Sequence, residues 1–220
     1  MTDNYVAENI RRIKKEINDE SIRILAVSKT VSCETAEMAL EVPGIELAEN
    51  RVQEFLKKYE YFQGRVKIHL IGHLQKNKVK YVVGKAALIH SVDSTELLDE
   101  IEYRSKQHDV ITDVLIQVNI SHESTKSGVD ESEIEDLITA NEHNTHVKIK
   151  GLMTIAPLTD DKELISGIFR KLHDIFVDIG KKEHYNTDMV YLSMGMSNDY
   201  MLAAKESANI LRIGSAIFKI

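Results

Sequence analysis

Two spacings of apolar residues alternate along this chain. Near the N-terminus Val6, Ile10, Ile13 and Ile17 recur at steps of four, three and four, with Arg11, Arg12, Lys14, Lys15 and Glu16 largely off that stripe. This pattern predicts a helix over 3–17, opened by an N-cap candidate at Asp3. The run Ile24-Leu25-Ala26-Val27 has no polar interruption. It predicts a strand covered on both faces, and it leads into Ser28-Lys29-Thr30. A helix over 32–42 follows, with Ala36, Ala39 and Leu40 apolar, and Pro43-Gly44 breaks it.

The same unit then recurs. Further strands are predicted over 45–48, 66–71, 87–92, 114–120, 147–155, 189–192 and 210–213. Helices are predicted over 52–62, from 77 to 83, from the cap Ser94 through Ile101, and over 130–140, 161–179 and 198–207. About eight strands alternating with helices imply a parallel sheet with helical crossovers. The predicted fold is α/β, a single (β/α)8 TIM barrel with an extra N-terminal helix, occupying 1–220 as one domain. The alternative is an open doubly wound sheet. That fold usually carries a glycine-rich turn after its first strand, and 28–32 contains no glycine.

Bulk properties narrow the function classes. The 220 residues are 43% hydrophobic and 29% charged, enough for one sizeable core. A net charge of −7 argues against nucleic acid or an anionic membrane as partner. The single cysteine, Cys33, cannot form a disulfide within the chain and fits a reducing compartment. No apolar run reaches signal-peptide length or the roughly 18 residues of a membrane helix. A cytoplasmic monomer is expected. The nine histidines show no paired spacing of the HExxH kind, so no metal site is expected.

In such a barrel every strand C-terminus opens on one mouth. The polar residues there are Lys29, Glu49, Asn50, His73, Gln75, Asp93, Ser94, Asn119, Thr154, the 193–198 stretch, Arg212, Gly214 and Ser215. Lys29 ends the first strand on rigid backbone. A partly desolvated amine there loses its proton readily and attacks an aldehyde; the alternative is a surface lysine that happens to end a strand. Leu192-Ser193-Met194-Gly195-Met196-Ser197-Asn198-Asp199 leads from strand seven into a helix, and Arg212-Ile213-Gly214-Ser215 follows strand eight. Such turns let N–H groups and hydroxyls approach an anion, and barrels commonly hold a phosphate there. Otherwise they are two ordinary glycine turns.

A lysine and a phosphate cup across one mouth suggest pyridoxal 5′-phosphate. Arg212 facing the pyridine nitrogen would disfavour its protonation and make the ring a poor electron sink. A salt bridge or a direct phosphate contact is the other role open to it. Lys126-Ser127-Gly128 is either an anion-contacting loop or a turn.

These motifs resemble the pyridoxal phosphate homeostasis proteins. The resemblance rests on the stretches Ala26-Val27-Ser28-Lys29-Thr30, Glu49-Asn50-Arg51-Val52-Gln53-Glu54 and Ile71-Gly72-His73-Leu74-Gln75-Lys76-Asn77-Lys78. It continues through Gln117-Val118-Asn119-Ile120, Lys126-Ser127-Gly128, Gly151-Leu152-Met153 and the two turns after strands seven and eight. It implies the barrel of alanine racemase without its second domain. It also implies Lys29 as the aldimine lysine, Asn50 beside the cofactor and Arg212 at the pyridine nitrogen. Ser193, Met194, Gly195, Met196, Gly214 and Ser215 would line the phosphate end.

The implied function is to hold, buffer and deliver the cofactor in vitamin B6 and amino-acid homeostasis, with no catalytic residues; apo-enzymes would be recipients. The alternatives are an amino-acid racemase, whose second base would come from a domain for which the chain has no room, and a Schiff-base aldolase acting through Lys29 without cofactor. Three positions depart from the family: Ala48 where glycine is usual, Ser215 for threonine, and Lys219 for a C-terminal glycine.

Overall fold

The computed structural model describes residues 4–121, 123 and 127–219. Lys126 and Asp3 lie outside this set. Eight parallel strands follow one another in chain order. They are β1 (Arg23–Val27), β2 (Glu46–Glu49), β3 (Ile68–Leu70), β4 (Ile89–Val92), β5 (Thr112–Gln117), β6 (Val147–Met153), β7 (Thr187–Ser193) and β8 (Ile210–Ile213). Each pairs with the next and β8 pairs with β1, which closes the barrel. The helices are α1 (Tyr5–Ile17), α2 (Cys33–Glu37), α3 (Val52–Phe62), α4 (Thr95–His108), α5 (Ile134–Asn141), α6 (Lys162–Gly180), α7 (Tyr200–Lys205) and α8 (Ser215–Phe218). None of these helices is long and apolar enough to cross a membrane. This is the eight-stranded barrel expected from the alternating pattern, with α1 as the extra N-terminal helix.

The uninterrupted apolar run of β1 reflects two buried faces. Ile24 and Ala26 join the large cluster under the helices, whereas Leu25 and Val27 join a second cluster with Ala48, Leu88, Leu115, Met153 and Ile210. Successive strand residues point to opposite faces, so the second cluster lines the barrel interior. The α1 stripe buries Val6, Ala7, Ile10 and Ile13. Full burial of a Val or Ile side chain contributes about 1.5–3 kcal/mol, so α1 is held by packing rather than propensity. Its cap is Asn4, whose side-chain oxygen accepts the Ala7 N–H at 3.0 Å.

Three segments differ from the pattern. The expected helix from 77 to 83 is a 3₁₀ turn, Lys76–Tyr81. Val79, Val82 and Val83 are β-branched and Gly84 follows, which disfavours a longer α-helix. The helix over 32–42 divides into α2 and a 3₁₀ turn, Met38–Glu41. Past β8 the chain forms one further helical turn, α8, which the pattern does not signal.

Candidate functional site

A cleft of about 1350 Å³ opens at the C-terminal ends of the strands. Its walls include Lys29 and Thr30 after β1, Asn50 after β2, Met196–Tyr200 after β7, and Arg212, Gly214 and Ser215 on and after β8. Thus Lys29, Asn50, Met196, Arg212, Gly214 and Ser215 share one cavity, although residues 29 and 215 are far apart in sequence.

Lys29 stands in a turn tied by a Val31 N–H to Ser28 O bond of 3.1 Å. The next residue, Thr30, has φ +67, a left-handed conformation that a β-branched residue rarely adopts. The lysine is exposed and, among the described residues, makes no hydrogen bond or ion pair. The desolvation considered above is therefore not seen, but the amine is uncommitted.

Behind it lies a buried ion pair. Lys58 Nζ, from α3, is 2.6 Å from Glu49 Oε1 and donates to Ser28 O at 2.8 Å. Ser28 Oγ donates to the same carboxylate oxygen at 2.6 Å. Both charged side chains are essentially inaccessible, at 1% and 0% exposure. This knot ties the end of β1 to β2 and α3, and so fixes the backbone one residue before Lys29.

Asn50 follows on β2. Its Oδ1 is buried and has no hydrogen-bond partner among the described residues. Such an atom carries a desolvation cost that a ligand donor would relieve. The neighbouring strand leaves no slack: a Cβ on Gly72 would fall 2.1 Å from Asn50 O. Gly72→Ala is therefore expected to displace the end of β2. The measurable outcome is a several-fold loss of ligand affinity at Asn50; unchanged affinity in titration would contradict it.

Arg212 points inward from β8 and is buried. It donates to Ser193 Oγ and to Thr154 O, each at 2.8 Å. Burial pulls its pKa down to about 10, opposed by the charge of Asp199, so it stays cationic at neutral pH. Its bonds go to a hydroxyl and a carbonyl rather than to a carboxylate, so the salt-bridge role is not the one found.

The structure divides the residues of the expected phosphate cup between the cleft wall and the interior. Ser193, Met194 and Gly195 are not on the cleft wall. Ser193 is the last residue of β7, faces inward and bonds Arg212 and His90. Met194 is fully buried, and its N–H donates to Ile210 O at 3.2 Å. The Met196 N–H is taken by Asp199 Oδ1 at 2.5 Å, so Met196 lines the cleft without a free amide. Ser197, which the sequence offers only as part of the 193–198 stretch, accepts with its Oγ the N–H groups of Gly214 and Ala216, each at 3.2 Å. This hydroxyl joins the two glycine turns, and its proton remains available to donate. The helices that follow, α7 and α8, have only six and four residues, so their dipoles add little. Ser197→Ala is expected to weaken phosphate-dependent binding by roughly 1.5–3 kcal/mol, the range for hydrogen bonds to charged groups. Equal affinity of variant and parent would remove Ser197 from the site.

The comparisons with known proteins fit this geometry. The model for the alanine racemase N-terminal domain matches residues 4–220. A pyridoxal phosphate homeostasis protein from Aquifex aeolicus is 42% identical over 201 residues, covering 89% of this chain and 86% of its own. The chain belongs to the pyridoxal phosphate homeostasis proteins. A second member, from Haemophilus influenzae, is 32% identical over 220 residues, covering 98% of this chain and 92% of its own. PipY of Synechococcus elongatus, solved with pyridoxal phosphate bound, superposes with a TM-score of 0.88 at 27% identity, over 97% of this chain and 99% of PipY. Alanine racemase of Corynebacterium glutamicum shares the fold, with a TM-score of 0.75 at 13% identity, over 98% of this chain and 61% of the racemase.

Within this family the Ala48 departure is accommodated. The Ser28 N–H still donates to Ala48 O at 3.1 Å, and the extra methyl joins the inner apolar cluster.

Proposed function

We propose that this protein binds pyridoxal 5′-phosphate in the barrel-mouth cleft and holds it for release rather than for catalysis. The observation that carries this reading is that the unpartnered Lys29 amine and the Ser197–Gly214–Ser215 turn line the same cleft. The donor set suits the group: an amine for an aldehyde, hydroxyls and N–H groups for a phosphate, and an orphaned Asn50 oxygen for a ring substituent. When bound, the cofactor supplies an aldehyde that condenses with a primary amine. Lys29 would be the amine, Ser197 and Ser215 would hold the phosphate, and Arg212, placed toward the ring nitrogen, would oppose its protonation as a cation.

The non-catalytic part of the reading is supported by the cleft's own acid–base groups. Tyr200 donates its phenol proton to Glu16, and burial together with that bond pushes its pKa up to about 12. Asp199 is committed to the Met196 N–H. Tyr200 is therefore not poised near neutrality for proton transfer at a substrate carbon, whereas burial pushes the Asp199 carboxyl above its usual range. A cytoplasmic setting, monomeric state and apo-enzyme recipients belong to the same proposal.

Titration with pyridoxal 5′-phosphate and with pyridoxal tests it. Absorbance changes on Lys29 with both, and markedly tighter binding of the phosphorylated form, are expected. A protein that neither ligand colours would favour the cofactor-free aldolase. Sustained loss of optical activity from L-alanine would favour the racemase.

A further inference from the structure

The cleft floor is joined to the other end of the barrel by a single file of polar side chains. Arg212 Nη1 is 2.8 Å from Ser193 Oγ. Ser193 Oγ is 3.0 Å from His90 Nδ1, and His90 Nε2 is 3.0 Å from His69 Nδ1. His69 Nε2 is 3.0 Å from Glu46 Oε2. The file crosses from β8 through β7, β4 and β3 to β2, inside a barrel that is otherwise lined largely by apolar residues such as Leu25, Leu115 and Met153. Buried polar side chains in such a place need a reason.

With both imidazoles neutral, the carboxylate end sets the direction of every bond. An arginine side chain carries only donors, and a carboxylate only acceptors. Ser193 accepts from Arg212 and, with the rings neutral, gives its own proton to His90 Nδ1. His90 then carries its proton on Nε2 and donates it to His69 Nδ1. His69 in turn carries its proton on Nε2 and donates it to Glu46. Glu46 fixes this order, because a neutral His69 that donates from Nε2 must accept at Nδ1. Burial, reinforced by the charge of Arg212, pushes the His90 pKa well below its ordinary value, which agrees with a neutral ring. At Glu46 burial acts in the opposite sense but is outweighed. The His69 hydrogen bond and the charges of Lys67 and Arg23 hold this carboxyl below its usual range.

We infer that Ser193, His90, His69 and Glu46 are positioning residues for Arg212. They form a one-directional hydrogen-bond chain, with both imidazoles neutral and protonated on Nε2, that holds the guanidinium at the cleft floor. Its relevance to a bound ring rests on the Arg212 role proposed above; the chain itself does not. One consequence is long-range. Without the Glu46 acceptor, the His69 Nε2–H has no partner, and a proton on His69 Nδ1 requires His90 Nε2 to become the acceptor. The His90 proton then moves to Nδ1 and is donated to Ser193, whose oxygen can accept from both neighbours. Glu46→Leu is therefore expected to switch the tautomer of His90, a residue Glu46 does not touch. Glu46→Gln keeps an acceptor oxygen and is expected to leave it unchanged.

The test is imidazole nitrogen NMR on ligand-free protein at neutral pH, with Ser193→Ala then examined after loading with pyridoxal 5′-phosphate. The expected results are Nε2–H tautomers for both histidines in the parent, a switch of His90 to Nδ1–H in Glu46→Leu, and none in Glu46→Gln. A charged imidazole or an Nδ1–H tautomer at either histidine in the parent would overturn the chain, whether or not the leucine variant folds. A folded Glu46→Leu with His90 still protonated on Nε2 would overturn it equally. In the loaded protein, Ser193→Ala is expected to shift the ligand's absorption maximum while Lys29 still becomes labelled. An unchanged maximum alongside the expected tautomers would overturn the positioning of Arg212 toward the ring. Absence of Lys29 labelling in the parent would instead overturn the proposed function and leave the tautomer result standing.

Discussion

Lys29→Ala is expected to reduce borohydride-trapped labelling by pyridoxal 5′-phosphate to background while leaving the fold and a weaker, phosphate-driven affinity. The amine is exposed and partnerless among the described residues, so its removal breaks no contact. Such a surface substitution changes stability by about 0.5 kcal/mol or less. The Ser197 hydroxyl, its bonds to Gly214 and Ala216, and Arg212 are untouched, so the phosphate and ring contacts survive. Intact mass after reduction, a titration and a melting curve together separate the two effects. Undiminished labelling would transfer the chemistry to another lysine. Lys162, Lys205 and Lys219 also line the cleft and would be the first to examine.

Lys58→Ala is expected to produce the largest loss of stability. Lys58 and Glu49 are buried as a pair, and Ser28 is joined to both. Removing one partner of a buried pair leaves an uncompensated charge, which costs about 3–5 kcal/mol. For a chain of this length that corresponds to a fall in melting temperature of roughly 6–20 °C. Among the described residues Glu49 Oε2 already lacks a partner, so little else is available to absorb the charge. Replacing both residues, as Glu49→Gln with Lys58→Met, is expected to recover a substantial part of the loss because no isolated charge remains. A single variant that melts with the parent would show that the pair contributes nothing. A single variant that is destabilised and also binds pyridoxal 5′-phosphate poorly would tie the knot to the placement of Lys29.

The barrel was legible because its strands are buried on both faces and its helices on one, so the two periodicities separate along the chain. Val52–Phe62 matches its expected bounds, since an apolar stripe is flanked there by clear ends. The crossover at 77–83 was misread because β-branched valines at 79, 82 and 83 carry a helical spacing but tighten into a 3₁₀ turn. Lys29 and Arg212 could be placed at the mouth from strand ends alone. Ser193 and Ser197 could not be told apart. Both sit in one polar stretch, and only the end of β7 decides that the first faces the interior and the second the cleft. The file of Glu46, His69 and His90 left no local signal, because its members are joined across strands rather than along the chain.

The most direct measurement of the central claim is peptide-level mass spectrometry of the parent protein after incubation with pyridoxal 5′-phosphate and borohydride reduction. A single adduct on the peptide carrying Lys29, lost when excess inorganic phosphate competes for the Ser197–Ser215 turn, is the expected result. An adduct on a lysine outside the cleft, or one indifferent to phosphate, would contradict the account.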